Sequence, residues 1–199
     1  MTIALIEDDE AALDSLRRLI EGREMTVRGF ASAEAFLAGL DGCKPACVVS
    51  DVRMPGMSGL DLQRALKAQG KDMPVILITG HGDIAMAVTA MKEGAFDFIE
   101  KPYDAEYLIG RIEKALAAEQ EFRSKESQRL ELLERVAELS PRQKEVMNMV
   151  AEGLSNKEIA LRLGISPRTV ENYRAWVMER MNASNVAELV RKVLLIERE

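Results

Sequence analysis

Two stretches of this chain, "TIALI" at residues 2–6 and "VILIT" at residues 75–79, are nearly unbroken apolar runs. A strand with one wet face alternates apolar and polar residues. An unbroken run instead fits a strand covered on both faces, as in a parallel sheet with helices on either side. Met25–Phe30, Cys47–Ser50 and Asp97–Glu100 read as three further strands. Helical patterns lie between them. Leu13, Leu16, Leu19 and Ile20 recur at helical spacing, as do Leu60, Leu62 and Leu66. The second set is introduced by Ser58 and Asp61, which resemble a capping box, and is stopped by Gly70. Five β–α units in about 120 residues predict an open, doubly wound parallel sheet. In such sheets the functional crevice lies beyond the carboxyl ends of the strands.

From Asp104 to Glu138 the pattern is that of one long helix. Leu108, Ile112 and Leu116 would pack on the sheet, and "AAEQEFRSKESQRLE" is polar nearly all round, as suits a solvated connector. Leu130, Leu133 and Val136 would offer a short helix–helix seam, although a plain linker is the simpler reading. After Leu139 the punctuation changes. "SPRQ" starts a helix with Ser140 as N-cap, Pro141 at the first helical position and Gln143 three residues on; Gly153 ends it. "SNKE" caps another that Gly164 ends, "SPRT" begins a third running to about Met181, and a fourth follows Ser184. This is a small all-α domain in which the Gly164 turn has helix-turn-helix spacing. The expected division is residues 1–120, a helical linker at 121–138, and a helical domain at 139–199.

Charge follows that division. Residues 1–139 carry 17 basic and 25 acidic side chains, a net −8, whereas residues 140–199 carry 10 and 8, a net +2. The second part is therefore the candidate for touching nucleic acid. No apolar run approaches the roughly 20 residues of a membrane span, and the start of the chain lacks the basic and apolar pattern of a signal peptide. Cys43 and Cys47, with a single histidine in the chain, cannot supply about four zinc ligands. Reduced, buried thiols in a cytoplasmic protein are the expectation.

The run "VVSDVRMPGMSGLDL" at residues 48–62 stops at an acid, Asp51, and turns at once through Pro55 and Gly56. The first strand likewise ends in "EDDE", Glu7 to Glu10. If both strands are central, these carboxylates meet at one sheet edge, where like charges repel unless a cation neutralises them. Oxygen donors without His or Cys favour magnesium. Thr79 ends the fourth strand, and Lys101 follows the fifth at the same edge, with Lys101–Pro102 a candidate cis peptide. Carboxylates, a hydroxyl and an ammonium around one divalent ion describe a phosphoryl-handling site. A flavin-binding module would need an anion-cradling loop where this chain has "EDDE". A magnesium-dependent phosphohydrolase with an aspartyl nucleophile would need a general acid where it has Arg53. A long-lived acyl phosphate on Asp51 suits a switch better than an enzyme.

Residues 1–120 resemble a response-regulator receiver domain, of flavodoxin-like fold, and residues 136–198 resemble a LuxR-type helix-turn-helix. Together they resemble the NarL/FixJ class of two-component transcription factors, and the FixJ branch most through "DVRMPGMSGL" and "ITGHGDIAMAV". The resemblance implies that Asp51 is the phosphoacceptor, served by a sensor histidine kinase. It implies magnesium held by Asp8, Asp51 and the backbone carbonyl of Arg53, with Glu7 acting mostly through water; spacing leaves open which of Glu7, Asp8 and Asp9 contributes most. Thr79 and Lys101 would each meet a phosphoryl oxygen, Phe98 would be the switch aromatic, and His81 would be a loop residue. Pro55, Gly56 and Gly59 would shape the loop beside the site.

In "SPRTVENYRAWVMERM", Val170, Val177 and Met181 should face the core, with Tyr173 and Trp176 bordering it. Arg168, Glu171, Asn172 and Ala175 lie toward the other side, and by the family pattern Glu171, Asn172 and Ala175 would approach base edges. Asn can read adenine and Glu can accept from cytosine. Ser155, Lys157, Arg168, Thr169, Tyr173 and Arg174 complete the expected contacts with double-stranded DNA, mostly to phosphates. The partners implied are the kinase, DNA, RNA polymerase and, when phosphorylated, a second copy of the chain, with no membrane.

Overall fold

The structure is a computed structural model and describes residues 1–80 and 84–197. The expected role of His81 therefore lies outside the described residues. The chain divides into two compact units, residues 1–122 and 123–199.

In the first unit five parallel strands, β1 (Thr2–Ile6), β2 (Thr26–Phe30), β3 (Cys47–Asp51), β4 (Val75–Thr79) and β5 (Asp97–Glu100), pair in the order β2-β1-β3-β4-β5. Two limits differ from the sequence reading. β2 starts at Thr26 rather than Met25, and β3 takes in Asp51 because that residue still lies in register with Ile78. Successive side chains of a strand face opposite sides, and the core divides accordingly. Ile3, Leu5, Cys47, Val49, Ile76 and Ile78 meet Leu13, Leu16 and Ile20 of α1 (Glu10–Glu21) and Leu108, Ile109 and Ile112 of α5 (Ala105–Ala137). On the other side Ala4, Ile6, Val48 and Leu77 meet Phe36 and Leu40 of α2 (Ala33–Cys43), Leu62 and Leu66 of α3 (Gly59–Ala68) and Ala90 of α4 (Ile84–Lys92). β1, β3 and β4 are sealed on both sides, so after Thr2 at the start of β1 their polar residues are Ser50 and Asp51, the last two of β3, and Thr79, the last of β4. Cys43 and Cys47 are free and buried, as expected. Burial, and secondarily the charge of Glu119, pushes the Cys47 thiol up to about 12. Glu119 is an exception to the solvated connector: it is buried, while its neighbours along α5 are mostly exposed.

The second unit packs the last turns of α5 with α6 (Pro141–Ala151), α7 (Asn156–Leu163), α8 (Pro167–Arg180) and α9 (Val186–Glu197). Its starts follow the sequence signals. Ser140 with Gln143 and Ser155 with Glu158 both form complete capping boxes, and Ser166 accepts from the Thr169 N–H. The Ser155 hydroxyl holds the Glu158 carboxyl below its ordinary range. Gly164 caps α7 in the left-handed conformation, φ 65°. Arg142 reaches from α6 to the Leu163 carbonyl at 2.9 Å, which ties down the end of α7 before the turn. Leu132 enters this core and Val136 packs against it, whereas Leu130 stays exposed. Of the seam expected at Leu130, Leu133 and Val136, Val136 packs on this core, Leu133 is half-buried and Leu130 is exposed, while Leu132 is the residue that is buried.

Gly59, the first residue of α3, donates its N–H to the Val52 carbonyl at 3.0 Å. A Cβ there would collide with the Asp51 carbonyl oxygen and crowd Leu77. Gly59→Ala should therefore destabilise the first unit by about 1–3 kcal/mol, the cost of overpacking. Calorimetry should show its transition moving down. The emission of Trp176, the one tryptophan and a residue of the second unit, should keep its midpoint.

Candidate functional site

β1 and β3 are neighbours, with Ile6 opposite Ser50, so the next residues, Glu7 and Asp51, leave the sheet side by side. Both are screened from solvent, Glu7 almost completely, while Asp8 is exposed. Carboxylate oxygens of Glu7, Asp8 and Asp51 lie within 4.8 Å of one another. Asp9 does not join them: its side chain accepts the Ala12 N–H at 2.9 Å as N-cap of α1. Helix capping thereby reduces the three candidate acids to Glu7 and Asp8.

The main chain brings in the cation. Lys101 follows the last residue of β5, and its N–H donates to the Thr79 carbonyl at 2.7 Å. Its ammonium then donates to Glu7 Oε2 and Asp51 Oδ2, each at 2.8 Å. The Lys101–Pro102 bond is cis. Thr79, fully buried, ends β4 one residue beyond the partner of Asp51. Phe98 is half-buried against the α2–α3–α4 side of the core, opposite Leu77. The Arg53 N–H donates to Asp51 Oδ1 at 3.1 Å, and the residue is exposed. Glu7, Asp8, Asp51, Arg53, Thr79 and Lys101 therefore share this edge, whereas Asp9 caps α1 and Phe98 lies against the core.

Burial pushes the Glu7 carboxyl up, the Lys101 hydrogen bond draws it down, and repulsion from Asp51 raises it again; the net shift is upward. For Lys101 burial opposes the charge, but the bonds from Asp51 and Glu7 outweigh it and hold the ammonium above its ordinary range. One ammonium against three carboxylates leaves the cluster net negative. The donors are all oxygens, so the residues fit a hard divalent cation such as magnesium. Two neighbours escaped the sequence reading. Tyr103, half-buried next to this cluster, has its hydroxyl raised by burial, with Lys101 opposing. Glu34, from the start of α2, accepts the Met57 N–H at 2.7 Å. Tyr103 stands two residues after Lys101, a weak signal; Glu34 offers no signal beyond an ordinary helix start.

In the second unit Val170, Val177 and Met181 are buried, as expected, and Arg168, Glu171, Asn172 and Ala175 are exposed on the open side of α8. Tyr173 borders the core, but Trp176 does not. It is 55% exposed and meets Tyr173 edge to face at 5.9 Å. Lys157 is exposed. Three expected DNA contacts already have intramolecular partners: Ser155 donates to Glu158 at 2.6 Å, Thr169 pairs with Ser166 at 2.8 Å, and Arg174 donates to Asn156 at 2.8 Å.

No described helix is long and apolar enough to cross a membrane. Residues 3–113 match the response regulator receiver domain family, and residues 137–193 match the luxR family of bacterial regulatory proteins. The chain is 47% identical to the transcriptional regulatory protein FixJ of Bradyrhizobium diazoefficiens, over 95% of this chain and 92% of that protein. It is 43% identical to the response regulator TodT of Pseudomonas putida, over 95% and 83%. Among solved structures, full-length FixJ from B. japonicum matches at TM-score 0.62 and 45% identity, covering 98% and 96% of the two chains. The response regulator StyR matches at TM-score 0.82 and 36% identity, covering 97% and 98%. The chain belongs to the response regulators that join a receiver domain to a LuxR-type DNA-binding domain, a family of FixJ-like transcription regulators controlled by phosphorylation.

Proposed function

We propose that Asp51 is the phosphoacceptor of this regulator and that its modification by a sensor histidine kinase drives dimerisation and sequence-specific DNA binding. The observation that carries the reading is the position of Asp51 at the end of a central strand, bonded to Lys101 and grouped with Glu7 and Asp8. A carboxylate oxygen of Asp51 attacks the phosphorus of a phosphohistidine; the new O–P bond forms as the P–N bond breaks, and the imidazole leaves. Asp8, Asp51 and the Arg53 carbonyl, with Glu7 in support, would hold magnesium, which would supply positive charge to offset repulsion between phosphoryl and carboxylate oxygens. Lys101, shared by Glu7 and Asp51 before modification, then pairs with a phosphoryl oxygen, and the Thr79 hydroxyl donates to another. Arg53 has no acid function to speed loss of the phosphoryl group, which suits a switch rather than an enzyme.

Modification adds about −1.5 to −2 charges. Thr79 moves toward them, Phe98 follows into the space released, and the α4–β5 surface changes. Ile84, Val88 and Met91 leave that surface apolar and exposed, which supports a dimer face there. Two copies on paired half-sites compensate for the small positive charge of one DNA-binding unit. Glu171, Asn172 and Ala175 read bases, while Ser155, Lys157, Arg168, Thr169, Tyr173 and Arg174 hold the backbone; for Ser155, Thr169 and Arg174 this requires exchange of an internal hydrogen bond. The protein acts in the cytoplasm on promoters served by RNA polymerase.

Purified protein with magnesium should become dimeric when beryllofluoride is added and bind its DNA about 5- to 150-fold more tightly, the range of ordinary allosteric coupling. Asp51→Asn should abolish both effects, and wild-type protein unchanged after confirmed modification would refute the coupling. On DNA selected from random duplexes, Asn172→Ala should lose about 1–3 kcal/mol of discrimination at one base position. Lys157→Ala should instead weaken all sequences alike and lower the salt slope.

The raised Glu7 carboxyl has a consequence for metal-free protein. The native state holds that proton more tightly than the unfolded chain, so its contribution to stability is fully present below the unfolded pKa and is lost as pH rises through the native one. Melting temperature should fall with rising pH across that window. Glu7→Gln should flatten this part of the profile.

A further inference from the structure

The loop between β3 and α3 carries Arg53 at one end and the Ser58 cap of α3 at the other. Its ends are tied by the Val52 N–H to the Ile78 carbonyl at 2.8 Å and the Gly59 N–H to the Val52 carbonyl at 3.0 Å. At its outer bend the loop leans on a different element. Met57 donates its N–H to Glu34 Oε1 at 2.7 Å, a contact across 23 residues of sequence. Gly56 passes so close, with φ 79°, that a Cβ there would lie 2.6 Å from the same oxygen.

Glu34 is well placed to hold that contact. It stands in the first turn of α2, beyond the Ser32 N-cap, where a carboxylate is favoured by the free N–H groups and the helix dipole. Its own backbone N–H first, and the Met57 N–H second, hold its carboxyl below the ordinary glutamate range, and the Ser32 hydroxyl adds to this. From this first turn its Oε1 faces the loop.

We propose that Glu34 is a positioning residue for the phosphorylation pocket: through the Met57 N–H, the first turn of α2 sets the bend of the β3–α3 loop and so the placement of the Arg53 main chain beside Asp51. This rests on the reading of Asp51 and the Arg53 carbonyl given above. Met57 offers a backbone donor whatever its side chain, so the anchor depends on Glu34 and on the close approach at Gly56. Glutamine keeps the acceptor oxygen without the charge; aspartate keeps the charge without the reach; alanine keeps neither.

The test is magnesium titration by calorimetry, in the presence of beryllofluoride, on full-length wild type, Glu34→Ala, Glu34→Asp and Glu34→Gln. Each is held below its melting point, and exchange of the Met57 amide is followed in parallel. Glu34→Ala and Glu34→Asp should bind magnesium about 3- to 10-fold more weakly and expose the Met57 amide, while Glu34→Gln should stay within about twofold of wild type, as one hydrogen bond would dictate. If alanine does not fold, aspartate carries the comparison. Wild-type affinity in Glu34→Asp would overturn the inference. So would equal weakening in Glu34→Gln and Glu34→Asp, which would mean that side-chain identity matters without the hydrogen bond. Wild-type protein that takes up no magnesium with beryllofluoride, or does so equally well as Asp51→Asn, would instead overturn the reading of the pocket on which the inference stands.

Discussion

The Lys101 ammonium, shared at 2.8 Å between Glu7 and Asp51, is the interaction on which the rest of the first unit's site depends. Three carboxylates at one sheet edge repel one another, and two of them are largely withdrawn from water, where that repulsion is poorly screened. The lysine arrives from a strand that is not adjacent to either of the acidic ones. Its main chain is held by the Thr79 carbonyl, so the position of the charge follows from the pairing of β4 with β5. The arrangement is only partly neutralised, and the remaining negative charge on oxygen donors suits a hard divalent cation.

The parallel sheet is what makes such a cluster possible. All five carboxyl ends point the same way, and the middles of β1, β3 and β4 are apolar because helices cover both faces, with Ser50, Asp51 and Thr79 coming only at the carboxyl ends of β3 and β4. Polarity is admitted where the helices no longer cover the strands. The acids, the buried threonine and the lysine are therefore concentrated in one layer. The second unit solves a different problem with different means. Its helices are too short to be stable alone, and complete capping boxes together with a common apolar core hold α8 so that its polar side stays open.

Glu34 and Arg142 make similar long-range contacts, one in each unit. Each is an exposed or half-exposed charged side chain at a helix start, and each makes a bond to main chain far away in sequence, Met57 in one case and Leu163 in the other. Both bonds reach a turn, one beside the acidic pocket and one between α7 and α8.

Much of the fold and of the acidic pocket is legible in the sequence. Unbroken apolar runs specified buried parallel strands, Ser-Pro and Gly signals specified the helices of the second unit, and acids at strand ends specified the pocket, because each of these is a local requirement of burial, capping or charge. What only the tertiary structure decided were choices between chemically equivalent candidates. Asp9 was spent on a helix cap while Glu7 and Asp8 stayed in the cluster; Leu132 rather than Leu130 was buried; Glu119 went inward from a polar stretch and Trp176 outward from the edge of an apolar one. Glu34 met Met57 only because the sheet order sets α2 beside the β3–α3 loop. Composition and periodicity say what a residue can do. Which partner it finds is set by strand pairing and helix packing, since those alone bring together groups that are far apart along the chain.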